Sequence, residues 1–102
     1  MGLALFGDKL SAADAAAWGL IWKCVDDTEL ATTVDALLTQ LAQAPTAGLA
    51  AIKRALYASS DNTLEQQLDI ERDLQRVLGN SADYREGVAA FLDKRAPRFT
   101  GR

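Results

Sequence analysis

The sequence contains no histidine, and one cysteine, Cys24, in 102 residues. Those two shortages remove several chemistries from a single chain: a Ser-His-Asp triad, a histidine proton shuttle and a His/Cys zinc site. A disulfide within the chain is excluded as well, and a lone thiol suits a reducing compartment. No apolar run approaches the roughly 20 residues of a membrane span. The apolar start, Met1 to Gly7, lacks the basic flank and the apolar length of a secretory signal. Phe6 stands where N-myristoylation requires serine or threonine. A cytoplasmic chain forming one domain with a modest core is expected.

Basic residues are scarce over most of the chain. Residues 1–92 carry seven Lys/Arg against thirteen Asp/Glu, whereas residues 93–102 carry four basic residues and one acidic. An acidic body disfavours general nucleic-acid binding, which neutralises phosphates with clustered Lys/Arg. A helix-turn-helix reader is disfavoured for the same reason, because every candidate recognition helix is acidic or apolar. The basic terminus reads as a solvated tail that could meet one anionic group.

The chain is dominated by helical signals. Met1 to Phe6 reads as the last turns of a helix, stopped by Gly7-Asp8. Ser11 and Asp14 have capping-box spacing, and Gly19 ends the Ala-rich helix that follows. Residues 20–25 are apolar and β-prone, predicting a short extended segment, strand or connector. Between Glu29 and Gln43 the positions of Leu30, Val34, Leu37, Leu38 and Leu41 share one helical face. Pro45 introduces a third helix with Leu49, Ile52 and Leu56 inward. Thr63 and Gln66 form a second capping box, ahead of a helix burying Leu64, Leu68, Leu74, Val77 and Leu78. Ser81 caps the last helix, which places Tyr84, Val88, Phe91 and Leu92 inward and cannot pass Pro97. Five helical segments with short joints predict an all-α packing of helical hairpins.

Catalytic candidates are few. Glu65, Asp69, Glu71 and Asp73 lie opposite a leucine stripe, and Asp69–Arg72 and Asp73–Arg76 have ion-pair spacing, so a solvated face accounts for them. Asp26 and Asp27 lack the ligand spacing of an oxygen cage and suit a helix start. Cys24, in an apolar run, reads as a small hydrophobe without a base to activate it. Trp18 and Trp22 read as core or interface anchors. The sharpest pattern is Phe91 three residues before Lys94: an aromatic face beside a cation can take a purine ring and a phosphate. A core phenylalanine with a lysine complementing the helix dipole explains the same spacing.

Three ordered blocks resemble the enoyl-CoA hydratase/isomerase (crotonase) superfamily. They are LSAADAAAWGL at Leu10–Leu20 leading into Val25-Asp26-Asp27, the run Pro45–Leu49 with Lys53–Leu56, and DYREGVAAFLDKRAPRFTG at Asp83–Gly101. The segment containing Trp18 and Trp22 is most similar to the 1,2-epoxyphenylacetyl-CoA isomerase branch of phenylacetate degradation. The resemblance implies the helical C-terminal portion of a longer enzyme, whose ββα-spiral core supplies the oxyanion amides and catalytic acids. No catalytic residue is then expected within residues 1–102.

The resemblance further implies a coenzyme A thioester as substrate, with no resident cofactor, and Phe91 and Lys94 near the adenine and phosphates. It implies that helices around Thr63–Gly79 help cover the acyl pocket and a trimer interface. The expected function is subunit assembly and part of the CoA site, inactive alone, with the missing core leaving Leu3, Leu5, Trp18 and Trp22 exposed. The alternative is a stand-alone helical interaction module without ligand.

Overall fold

A computed structural model describes residues 2–102. Six α-helices follow one another: α1 (Gly2–Phe6), α2 (Ala12–Ala17), α3 (Asp27–Ala42), α4 (Thr46–Ala58), α5 (Leu64–Gly79) and α6 (Ala82–Leu92). No strand occurs among the described residues. The five expected helices are present, and the opening apolar run forms α1; its expected first residue, Met1, lies outside the described residues. The chain divides into two compact units, Met1–Asp35 and Ala36–Arg102.

In the first unit, glycine sets both helix ends. Gly7 takes φ +65 and donates its amide to the Leu3 carbonyl, closing α1. Gly19, at φ +76, follows α2 in a Schellman motif: its N–H reaches the Ala16 carbonyl and the Leu20 N–H reaches that of Ala15. Ser11 accepts the Asp14 amide at 3.0 Å. The returning half of the box differs from expectation, because the Ser11 hydroxyl itself donates to the Asp14 carboxylate at 2.6 Å.

Residues 20–25 form the connector of the two alternatives, not a strand. The amides of Leu20 and Ile21 both donate to the Ala15 carbonyl, so this stretch wraps the end of α2 before an irregular run to Asp26. β-propensity there lost to the free carbonyls at the helix terminus, which need donors. Cys24 is exposed rather than buried as a small hydrophobe. Leu3, Leu5, Trp18 and Trp22 are exposed, as expected, with Trp22 at 79%.

In the second unit, α4 and α5 form a helical hairpin and α6 follows α5 after Asn80 and Ser81. The Thr63 box is complete: Gln66 N–H donates to Thr63 Oγ1 at 3.3 Å, and Thr63 N–H to Gln66 Oε1 at 2.9 Å. Half-buried Gln67 ties the hairpin, donating to the Ala55 carbonyl at 3.2 Å while its own oxygen accepts from Asn62. The ion pairs read from spacing are present on α5, Asp69–Arg72 at 2.7 Å and Asp73–Arg76 at 3.6 Å.

Burial departs from the sequence reading. Among the described residues the buried apolar positions are all alanine: Ala15, Ala51 and Ala90. Of the leucine-rich faces expected inward, Leu37, Leu49, Leu74 and Leu78 reach partial burial. Leu30, Val34, Leu38, Leu41, Ile52, Leu56, Leu64, Leu68 and Val77 are exposed, and so is the whole Tyr84, Val88, Phe91, Leu92 face of α6. Periodicity identifies residues that share a face, but a face is buried only where another element covers it.

Candidate functional site

The polar structure of the second unit converges on α6 and the segment after it. α6 starts at Ser81, whose hydroxyl accepts the Tyr84 amide at 3.0 Å. It ends at Leu92, five residues before Pro97, so proline is not what stops it. The stop is a Schellman motif built on lysine: Lys94 N–H donates to the Phe91 carbonyl at 3.3 Å, and Arg95 N–H to that of Ala90 at 3.0 Å. Lys94 lies at φ 53, and no other non-glycine residue among those described has positive φ. A side chain in that region costs on the order of 1 kcal/mol relative to glycine, which is why glycine usually holds this position.

Beyond Lys94 the chain folds back along α6. Glu86 receives it first: Arg95 donates Nη1 and Nη2 to the two carboxylate oxygens at 2.6 and 2.9 Å, and the Arg98 amide adds a bond of 2.8 Å. Asp83, 5% exposed, receives its end. Its carboxylate accepts the amides of Thr100 at 2.7 Å and Gly101 at 2.8 Å, and the Thr100 hydroxyl at 3.2 Å. The Asp83 amide in turn donates to the Arg102 carbonyl at 2.8 Å. Between these clasps Phe99 lies over Gly87, its ring 3.6 Å from where a Cβ would project. An interior helical glycine, costing about 1 kcal/mol against alanine, is thus explained by this approach.

The basic tail is therefore a strap held on α6, exposed along most of its length but not a free end. Asp83 and Glu86 were not singled out from the sequence. The available signals were Gly87 inside a helical pattern and two carboxylates one turn apart ahead of a basic segment. The strap also separates neighbouring cations. Arg95 is committed to Glu86, with further contacts to Asp93 Oδ2 at 3.4 Å and the Ala96 carbonyl at 3.3 Å. Lys94 has no side-chain partner among the described residues.

The spacing of Phe91 and Lys94 predicted neighbours on one helical face. Lys94 has instead left the helix, and the link between them is the backbone bond from its N–H to the Phe91 carbonyl. Phe91 is 83% exposed, so it is no core residue. It lines an open apolar groove of about 420 Å³ with Leu78, Tyr84, Val88, Leu92 and Phe99.

Both strap carboxyls are held below their ordinary range. The Thr100 amide does most to hold Asp83 down, against some desolvation. Hydrogen bonding from Arg95 brings Glu86 from 4.5 to about 2. A carboxyl with a depressed folded-state value stabilises the fold above its unfolded value and ceases to do so as pH falls through the folded one. The strap is therefore expected to be fully held above about pH 4.5 and released progressively toward pH 2. Amide exchange at Thr100 and Gly101 across that range reads the release. Asp83→Asn and Glu86→Gln should each flatten the dependence, and an unchanged profile in both variants would contradict the assignment.

The sequence profile described as Enoyl-CoA hydratase/isomerase matches residues 1–102. The chain belongs to the enoyl-CoA hydratase/isomerase family. It is 58% identical over 102 residues to 1,2-epoxyphenylacetyl-CoA isomerase of Escherichia coli (strain K12), covering all of this chain and 39% of that protein. It is 33% identical over 100 residues to trans-2-decenoyl-[acyl-carrier-protein] isomerase of Streptococcus mutans, covering 98% of this chain and 38% of the relative. The crystal structure of an enoyl-CoA hydratase from Mycobacterium marinum superposes with a TM-score of 0.87 at 31% identity, over all of this chain and 40% of that one. The chain thus spans about two fifths of the length of the proteins it matches. No helix among the described residues is long and apolar enough to cross a membrane.

Proposed function

We propose that this chain is the helical assembly and coenzyme-covering part of an acyl-CoA hydratase/isomerase, of the 1,2-epoxyphenylacetyl-CoA isomerase type, and is inactive by itself. The observation that carries this reading is the end of α6, where an exposed aromatic ring is followed by a cation that no neighbouring carboxylate neutralises. Phe91 offers a face for the adenine of coenzyme A, and Lys94 an ammonium for its phosphates. The acyl-thioester substrate class follows from the family, and the isomerase type from the 58% identity to the Escherichia coli enzyme. The chain's own residues bind and orient. Enolate stabilisation needs preorganised amide donors aimed at the thioester oxygen, and none is assigned within residues 1–102. The uncovered faces of α5 and α6 suit subunit contact and the cover of an acyl pocket.

Two measurements test the reading. Incubating the chain with crotonyl-CoA and with a 3-enoyl-CoA should give no turnover; turnover would remove the claim of inactivity. Titration with coenzyme A should perturb Phe91 and Lys94, and Lys94→Gly should weaken binding while stabilising the fold by up to about 1 kcal/mol, because glycine relieves the positive φ. Unchanged affinity in Lys94→Gly would sink the phosphate assignment.

A further inference from the structure

We propose that Glu86, acting through Arg95, is a positioning residue that holds Lys94 in its left-handed conformation and so sets where its ammonium can meet an anion. As a statement about ligand binding, this rests on the coenzyme A reading above. A lysine seldom occupies positive φ, because its Cβ crowds the following carbonyl. Here the residue is bracketed. On its N-terminal side, Asp93 N–H is bonded to the Ala89 carbonyl at 2.9 Å. On its C-terminal side, the Arg95 amide is bonded to the Ala90 carbonyl, while the Arg95 guanidinium spans Glu86 and Asp93. The Arg98 amide on the same Glu86 carboxylate fixes the direction of the chain three residues further on.

One carboxylate therefore gathers three donors from the strap. Bidentate Arg–carboxylate pairing has the directional rigidity that a single ammonium contact lacks. The division of labour follows from geometry: Arg95 is fixed by pairing, which leaves the adjacent cation unpaired yet conformationally held. Without Glu86 the Lys94 backbone would sample the commoner negative-φ states. Apparent affinity for an anion then falls in proportion to the competent fraction, so a fraction reduced to about a tenth weakens binding about tenfold.

The test uses the chain with Glu86→Gln, Arg95→Gln and Arg95→Lys. The first reading is made without ligand: the one-bond Cα–Hα coupling of Lys94, which separates positive from negative φ, alongside amide protection along α6. Glu86→Gln and Arg95→Gln should lose the positive-φ signature while α6 stays protected, and Arg95→Lys should retain part of it. Coenzyme A affinity should fall about tenfold in the two glutamine variants and less in Arg95→Lys. Lys94 keeping positive φ in both glutamine variants overturns the positioning role. Failure of the wild-type chain to bind coenzyme A overturns the coenzyme reading instead, and the ligand-free coupling still decides the positioning role.

Discussion

Ala90→Leu is expected to destabilise the chain by about 2 kcal/mol, a cost typical of overpacking at a filled position. Ala90 is 1% exposed, the lowest among the buried apolar residues described. It shares a stripe of α6 with Asp83, Glu86 and Gly87, at spacings of seven, four and three residues, and all four are withdrawn from solvent. Its carbonyl accepts the Arg95 amide as the chain turns back, so backbone passes close by on that side. A leucine adds three carbons where no space is left, and either the strap or a neighbouring helix must move. Phe91→Leu, one residue later but on the uncovered face, should change stability by less than about 0.5 kcal/mol. Urea unfolding of the two variants checks the contrast. Equal midpoints would mean that α6 is not packed on its small-residue face.

Gly101→Ala is expected to detach the end of the strap, at a cost of about 2 kcal/mol from backbone strain and collision together. Gly101 has φ +79, and a Cβ there would stand 2.5 Å from Thr46 Oγ1 at the start of α4. Relief requires Thr46 to leave its present χ1 rotamer or the strap to move. Displacing Gly101 also withdraws its amide from Asp83 and disturbs the neighbouring Thr100 bonds. The damage is local, so it should appear as faster exchange of the Thr100 and Gly101 amides before it appears in global unfolding. Thr46→Ala removes the collision but not the strain, and in the double variant only about 1 kcal/mol should remain. A double variant as damaged as Gly101→Ala alone would show that the contact with Thr46 plays no part.

Helix positions were legible because local chemistry decides them. Ser11, Thr63 and Ser81 each cap the helix expected of them, and Gly7 and Gly19 each stop one at positive φ. The i,i+3 ion pairs of α5 follow from helical geometry alone. The family, too, was legible, in three ordered blocks. The Phe91–Lys94 pair could be picked out by residue type. Its geometry could not, because lysine seldom takes the left-handed position of a Schellman motif, and helical spacing assumes that the helix continues.

What remained hidden depends on residues far apart in sequence. The clasp between Asp83 and residues 100–102 spans more than fifteen positions, and no local pattern marks a carboxylate as an acceptor for a returning chain. Which face of α6 is covered was hidden for the same reason. The amphipathic pattern favours Tyr84, Val88, Phe91 and Leu92, yet the covered side carries Asp83, Gly87 and Ala90, because small residues allow the strap's close approach. Caps, stops and intrahelical pairs are contacts within about four residues, so composition and spacing suffice to specify them. Burial and side-chain commitment depend on what arrives from elsewhere in the chain, and that decided that Arg95 is bound while Lys94 has no side-chain partner among the described residues.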